Sequence, residues 1–96
     1  MSGADDRAAE ERARYLDRTT DLKRRKCLAV AYAELGYSDA GIAGAIDSTK
    51  ATVTKYLDEV ADRYGVEAVY PKMPDERGDL VPVDEAELEI VTNGEA

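Results

Sequence analysis

Apolar positions recur at helical spacing along most of this chain, and the clearest recurrence lies in its middle. Ile42, Ala43 and Ile46 fall on one side of a short helix predicted from Asp39 to about Ile46. Ser38 stands ahead of it as an N-cap, with a hydroxyl able to accept from a backbone N–H that the first turn leaves unpaired. Asp47-Ser48-Thr49 then breaks the pattern with residues that favour turns and caps. A second run carries Val53, Leu57, Val60, Ala61 and Tyr64 at three- and four-residue spacing, and Gly65 is its stop. Upstream, Leu22, Leu28, Ala29, Val30, Tyr32, Ala33 and Leu35 mark a helix from Leu22 with a broad buried side, ended by Gly36. Thr19-Thr20-Asp21 reads either as the cap of that helix or as part of one continuous helix.

The two ends carry weaker patterns. Residues 1–19 are rich in helix formers, with acids early and arginines late, but Ala8, Arg12, Tyr15 and Leu16 form only a narrow stripe. Either this helix is solvated, or Ala8, Tyr15 and Leu16 pack on the domain or on a twin helix as a dimerisation element. Beyond Gly65, Val66, Ala68 and Tyr70 alternate, a Pro- and Gly-containing loop follows, and Leu80–Val83 is again apolar. That order allows a short wing-like β-hairpin over 67–83, with Pro71 and Pro82 confining its strands to edges. Residues 84–96 are acidic and expected to be disordered at their end, although Leu88, Ile90 and Val91 also suit an interaction segment. The predicted fold class is mainly α. It has a trihelical helix-turn-helix core over 20–66, an additional N-terminal helix and that possible hairpin.

Composition narrows the chemistry. Ninety-six residues make one domain with a small core. There is no histidine and a single cysteine, Cys27, which removes the commonest general base, the commonest metal ligand and any internal disulfide. Neither a catalytic set nor a cofactor or metal site is expected, and an enzyme is not the reading. No stretch approaches the roughly 18 apolar residues of a membrane span, so no membrane partner is expected and the predicted location is cytoplasmic. Net charge is −8, from 21 acidic and 13 basic residues, which on average repels a nucleic acid. The charge is uneven, however: residues 66–96 hold nine acids and two bases, and residues 20–37 hold two acids and four bases. The abundance of aspartate and the lack of Phe and Trp resemble proteins from extreme halophiles.

Leu35-Gly36-Tyr37-Ser38, Ile42-Ala43, Ile46, Ser48-Thr49, Ala51-Thr52-Val53 and Leu57 follow one register without a gap. In that register the stretch from Leu22 to Val66 resembles the LuxR/GerE-type DNA-binding domain, and over a shorter span it is similar to region 4 of bacterial sigma factors. Two departures stand out: the family's usual glutamate before Ile42 is Gly41, and the often basic position after Leu57 is Asp58. The resemblance implies a recognition helix over about 49–64 in the major groove, with Thr54, Lys55 and Asp58 among the base-facing positions.

Residue chemistry agrees in kind. With Val53 and Leu57 inward, Lys50, Thr54, Lys55 and Asp58 face outward. Thr49 is the expected N-cap and Thr52 lies near phosphates. Lysine reaches guanine O6/N7, threonine suits thymine methyls or phosphates, and aspartate accepts from cytosine N4. The dense basic run Lys23-Arg24-Arg25-Lys26 is either a solvated helix start, a phosphate contact or a seat for an acidic partner. The expected function is therefore a helix-turn-helix transcriptional regulator of double-stranded DNA, acting as a homodimer. The rival is an acidic interaction module that binds another regulator through the acidic C-terminal segment and the apolar N-terminal helix, or an accessory factor, without touching DNA itself.

Overall fold

Helix boundaries follow from capping chemistry, most visibly in the middle of the chain. In the computed structural model, which describes residues 3–83, these are α1 (Gly3–Thr19), α2 (Arg24–Glu34), α3 (Asp39–Ala45) and α4 (Lys50–Tyr64). The expected class, mainly helical, is what the structure has. Ser38 Oγ accepts from the Gly41 N–H at 3.1 Å to start α3, and Thr49 Oγ1 accepts from the Thr52 N–H at 3.2 Å to start α4. Both N-caps are those predicted.

Tight turns close α2 and α3 in the same way. After α2, Gly36 adopts φ 93°, the Gly36 N–H donates to Ala33 O at 3.0 Å and the Tyr37 N–H to Tyr32 O at 3.1 Å. This is a Schellman motif, and the rings of Tyr32 and Tyr37, with centroids 5.0 Å apart, supply its apolar contact. After α3 the equivalent position is Asp47, at φ 55°, and the Ser48 N–H donates to Ala43 O at 2.8 Å. Aspartate tolerates this left-handed conformation better than most residues, at some cost relative to glycine. Gly65 ends α4 at φ 94°, ψ 154°, a combination that only glycine reaches without strain.

Two boundaries differ from expectation at the start of α2. The helix begins at Arg24 rather than Leu22, and Lys23 occupies the cap position without a side-chain capping bond. Thr20 is used elsewhere: its hydroxyl donates to Leu16 O at 2.6 Å and accepts from the Leu22 N–H at 3.2 Å. It therefore closes α1 instead of opening α2, and a continuous helix is excluded by the break over 20–23.

α2 is the central element. Cys27 and every residue from Ala29 to Glu34 are buried, because α1, α3, α4 and the turn Val66–Val69 all pack on it. α1 is not a solvated helix. Its inward face is Ala9, Ala13 and Leu16, all fully buried, and the two alanines let the backbones of α1 and α2 approach closely. Leu16 is thus consumed in the monomer core and is not available to a twin helix. Ala8 and Tyr15 are half-buried.

Segment 66–83 forms no strand among the described residues. Val66–Val69 and Pro74–Glu76 are 3-10 turns, with Ala68 buried beneath the first. The reason lies in where the backbone donors go. Pro71 has none, and the Lys72 N–H donates to Glu34 O at the end of α2, 2.9 Å away, rather than to a neighbouring strand. The segment then runs as a strap over α1, where Arg12 Nη2 donates to Gly78 O at 2.6 Å and the Tyr15 hydroxyl donates to Asp79. The acidic tail 84–96 lies outside the described residues. No helix among those described is long and apolar enough to cross a membrane.

Candidate nucleic-acid interface

α4 presents its first two turns outward because Val53, Leu57 and Val60 anchor the opposite side in the core. Lys50, Lys55 and Asp58 are exposed, and Thr52 and Thr54 are half-buried. The threonines are engaged within the protein. Thr49 Oγ1 donates to Thr52 Oγ1 at 2.9 Å while capping the helix, so the two hydroxyls form one local unit. Thr54 Oγ1 donates to Asp39 Oδ2 at 2.6 Å, tying the first turn of α3 to α4 across 15 residues. That bond fixes how α3 lies over α4. Lys50 and Lys55, by contrast, make no ion pair among the described residues.

The basic run divides into two pairs. Arg25 Nη2 donates to Ile46 O at 3.1 Å, satisfying a carbonyl at the end of α3. Lys26 Nζ lies 2.9 Å from Glu59 Oε1 and 5.9 Å from the ring centroid of Tyr56, both on α4. The Lys26 hydrogen bond, reinforced by the charge of Lys55, holds the Glu59 carboxyl below its usual range. Together these contacts clamp the first turn of α2 against the α3–α4 unit. Lys23 and Arg24 point into solvent without ion pairs among the described residues. The structure thus brings Arg25 and Lys26 to the helix pair and leaves Lys23, Arg24, Lys50 and Lys55 as uncommitted cations.

One cluster was not anticipated. Glu34, at the last turn of α2, has a side chain with 0% exposure. Arg12 from α1 grips it with two bonds, Nε to Oε1 at 2.9 Å and Nη2 to Oε2 at 3.1 Å. Lys72 Nζ and Arg77 Nε from the strap each stand 3.9 Å from a carboxylate oxygen. A charge-assisted fork of this geometry is what a buried carboxylate needs. The available signal was a lone opposite charge inside each apolar stripe: Arg12 among Ala9, Ala13 and Leu16, and Glu34 following Val30 and Ala33.

Two further groups feel the core. Burial pushes the Cys27 thiol up to about 11, so it is a packing residue and not a reactive one. Burial, with the hydrogen bond that the Tyr32 hydroxyl donates to Asp6 at 2.8 Å, pushes Tyr32 up to about 12. Asp6, with Asp5 accepting from Tyr37 at 3.1 Å, fastens the first turns of α1 over the end of α2. No group of three or more potential ligands able to hold a metal occurs among the described residues. Comparison with protein-family models, with curated proteins and with solved structures gave no match.

Proposed function

We propose that this protein is a sequence-specific DNA-binding transcriptional regulator that places α4 in the major groove. The observation that supports this reading is the outward half-face of α4, where Lys50 and Lys55 stand free of ion pairs beside a start capped by Thr49 and tied to α3 through Thr54 and Asp39. In a chain of net charge −8, exposed lysines that close no ion pair are the side chains most open to a phosphate or a base edge. Lys50 and Lys55 donate to guanine edges or phosphates, and Asp58 accepts from cytosine. Lys23 and Arg24 extend the contact to the phosphate backbone, while Arg25 and Lys26 support the surface from behind. Thr49, Thr52 and Thr54 act chiefly by setting the helix start and its angle.

Two copies on paired half-sites would present recognition helices about 34 Å apart. The segment after Gly65, with Val66 58% and Tyr70 56% exposed, is the surface offered for that pairing. The direct test is selection of duplexes from a random pool, followed by anisotropy titration of the winner. A two-fold symmetric motif is expected. Lys23, Arg24, Lys50 and Lys55, if all four meet phosphates, set a salt slope of about −4 in log K against log salt for each chain. A pool without enrichment would overturn the reading.

A further inference from the structure

The strap does not end on α1. Its last described residues, Leu80 and Pro82, line a cleft of about 430 Å³ with Thr20 and Asp21, from the connection before α2, and with Arg63 and Tyr64, from the end of α4. Asp21 ties those two elements together: its Oδ2 lies 2.8 Å from Arg63 Nη2, and its Oδ1 accepts from the Tyr64 hydroxyl at 3.2 Å. Val83 lies against Gly65, where a Cβ would stand 3.5 Å from Val83 Cγ1. Asp84 therefore comes two positions after Pro82 at this cleft, and Lys23 two positions after Asp21.

The two stretches that leave this cleft carry opposite charge. Residues 84–96 hold five acids and no base, and four of the acids are Asp84, Glu85, Glu87 and Glu89. Residues 17–26 hold five bases and two acids. The side of α4 facing them, marked by the Lys26–Glu59 and Asp21–Arg63 pairs, adds one base and one acid, so a surplus of three positive charges stands there. Lys23, Arg24 and Arg25 are exposed. Other cations are poorer seats. A chain starting at Gly65 reaches Lys55 only past the exposed Asp58 and Asp62 on the same side of α4, and Glu11 stands between Arg7 and Arg14 on α1.

We infer that the acidic segment 84–89 docks on the start of this chain's own α2, with its carboxylates along Lys23, Arg24 and Arg25. Its six residues span about 9 Å as a helix and about 20 Å extended, and the one turn from Lys23 to Lys26 is about 5 Å long, so either form lays several acids on the run. Single exposed pairs are weak, but a tethered segment acts at an effective concentration of the order of millimolar and several pairs act together. Docking holds at low ionic strength and is released as salt screens it. Its consequence for DNA rests on the reading proposed above: Lys23 and Arg24 are phosphate contacts there, so a duplex must displace the segment, which acts as an internal competitor.

The test compares 15N spectra of the full chain with those of a full-length variant carrying Asp84→Asn, Glu85→Gln, Glu87→Gln and Glu89→Gln, at about 20 mM and about 500 mM salt. At low salt the differences should centre on the Lys23 to Lys26 amides and the Arg24 and Arg25 Nε–Hε signals, and they should vanish at high salt. Amides of Lys50 to Lys55 and of Arg7 to Arg14 should agree throughout. In the native-tail chain, Lys23→Gln with Arg24→Gln should move the signals of residues 84–89 to their high-salt positions. Differences centred on Lys50 to Lys55, differences spread over all charged residues, or tail signals unmoved by the double variant would each overturn the docking. These spectra need no DNA, so they decide the docking even where no duplex is selected. On a selected duplex the neutralised tail should bind about threefold or more tighter at low salt and equally at high salt, and equal affinity at low salt would overturn the competition.

Discussion

Two basic regions of this molecule carry similar side chains and opposite arrangements. At the end of α2, Arg12, Lys72 and Arg77 converge on one buried carboxylate. At the starts of α2 and α4, Lys23, Arg24, Lys50 and Lys55 are exposed with no ion pair among the described residues. The first arrangement is a structural device with a strong local penalty if broken, because a desolvated charge that loses its partner has nowhere to go. The second contributes little to folding, because solvated charges are screened. Positive charge is therefore informative about partners only where the fold leaves it unspent. The two groups hold seven of the chain's thirteen bases, and Arg7, Arg14 and Arg18 on α1 are likewise exposed without ion pairs among the described residues.

The sharpest way to break that contrast is Glu34→Gln. It leaves the Arg12 guanidinium mostly buried without its counter-charge, and the expected loss is about 3–5 kcal/mol in urea unfolding. Pairing it with Arg12→Met should recover much of that loss. A cost below about 1 kcal/mol would show that the cluster is as loosely held as a surface pair. Leu57→Ala tests the other region from behind. It should cost about 2–5 kcal/mol, since Leu57 holds the inner face of α4 that sets which residues point outward.

Alkaline titration probes the buried side without mutation. Cys27 rises from 9.0 to about 11 and Tyr32 from 10.0 to about 12, so the folded state holds both protons longer than the unfolded chain does. The stability linked to a raised value is present in full below the ordinary value and is lost as pH climbs to the raised one. Urea midpoints should be flat up to about pH 9 and fall from there towards 12. Cys27→Ala should delay the onset by about one unit, to the ordinary range of Tyr32.

Lys55→Ala should leave the unfolding midpoint within about 0.5 kcal/mol of the parent, because its side chain supports nothing in the core. On the selected duplex it should lose about 1–3 kcal/mol of affinity if Lys55 reads a base, with the loss depending on sequence. A loss uniform across sequences, with a salt slope shallower by about one, would place it on a phosphate. Unchanged affinity would count against the proposed face. The smallest effect is expected at the turn between α3 and α4. Asp47→Gly removes a left-handed non-glycine residue and should stabilise the domain by about 0.5 kcal/mol, close to cancellation by glycine's greater unfolded freedom. A marked loss would show that the Asp47 side chain itself holds the turn.

The helix-turn-helix pair was legible because its determinants are local. Ser38 and Thr49 cap within three residues of themselves, Gly36 and Gly65 stop helices through their own backbone freedom, and Val53, Leu57 and Val60 repeat along one helix face. Each of these acts over one or two turns, so the order of residues alone determines it. What lay beyond reach depends on partners far apart in sequence. That α1 packs on α2 through Ala9, Ala13 and Leu16 depends on a surface that a separate segment supplies, and no stripe of two alanines and a leucine announces this. The strap took a course that alternation in Val66, Ala68 and Tyr70 did not foretell, because its backbone and cations are drawn to Glu34. Likewise, Arg25 and Lys26 reach across to α3 and α4 while Lys23 and Arg24 do not, a choice made by Ile46 O and Glu59. A charged residue's role is set by the dielectric and the counter-charge around it, and both exist only once distant segments have come together.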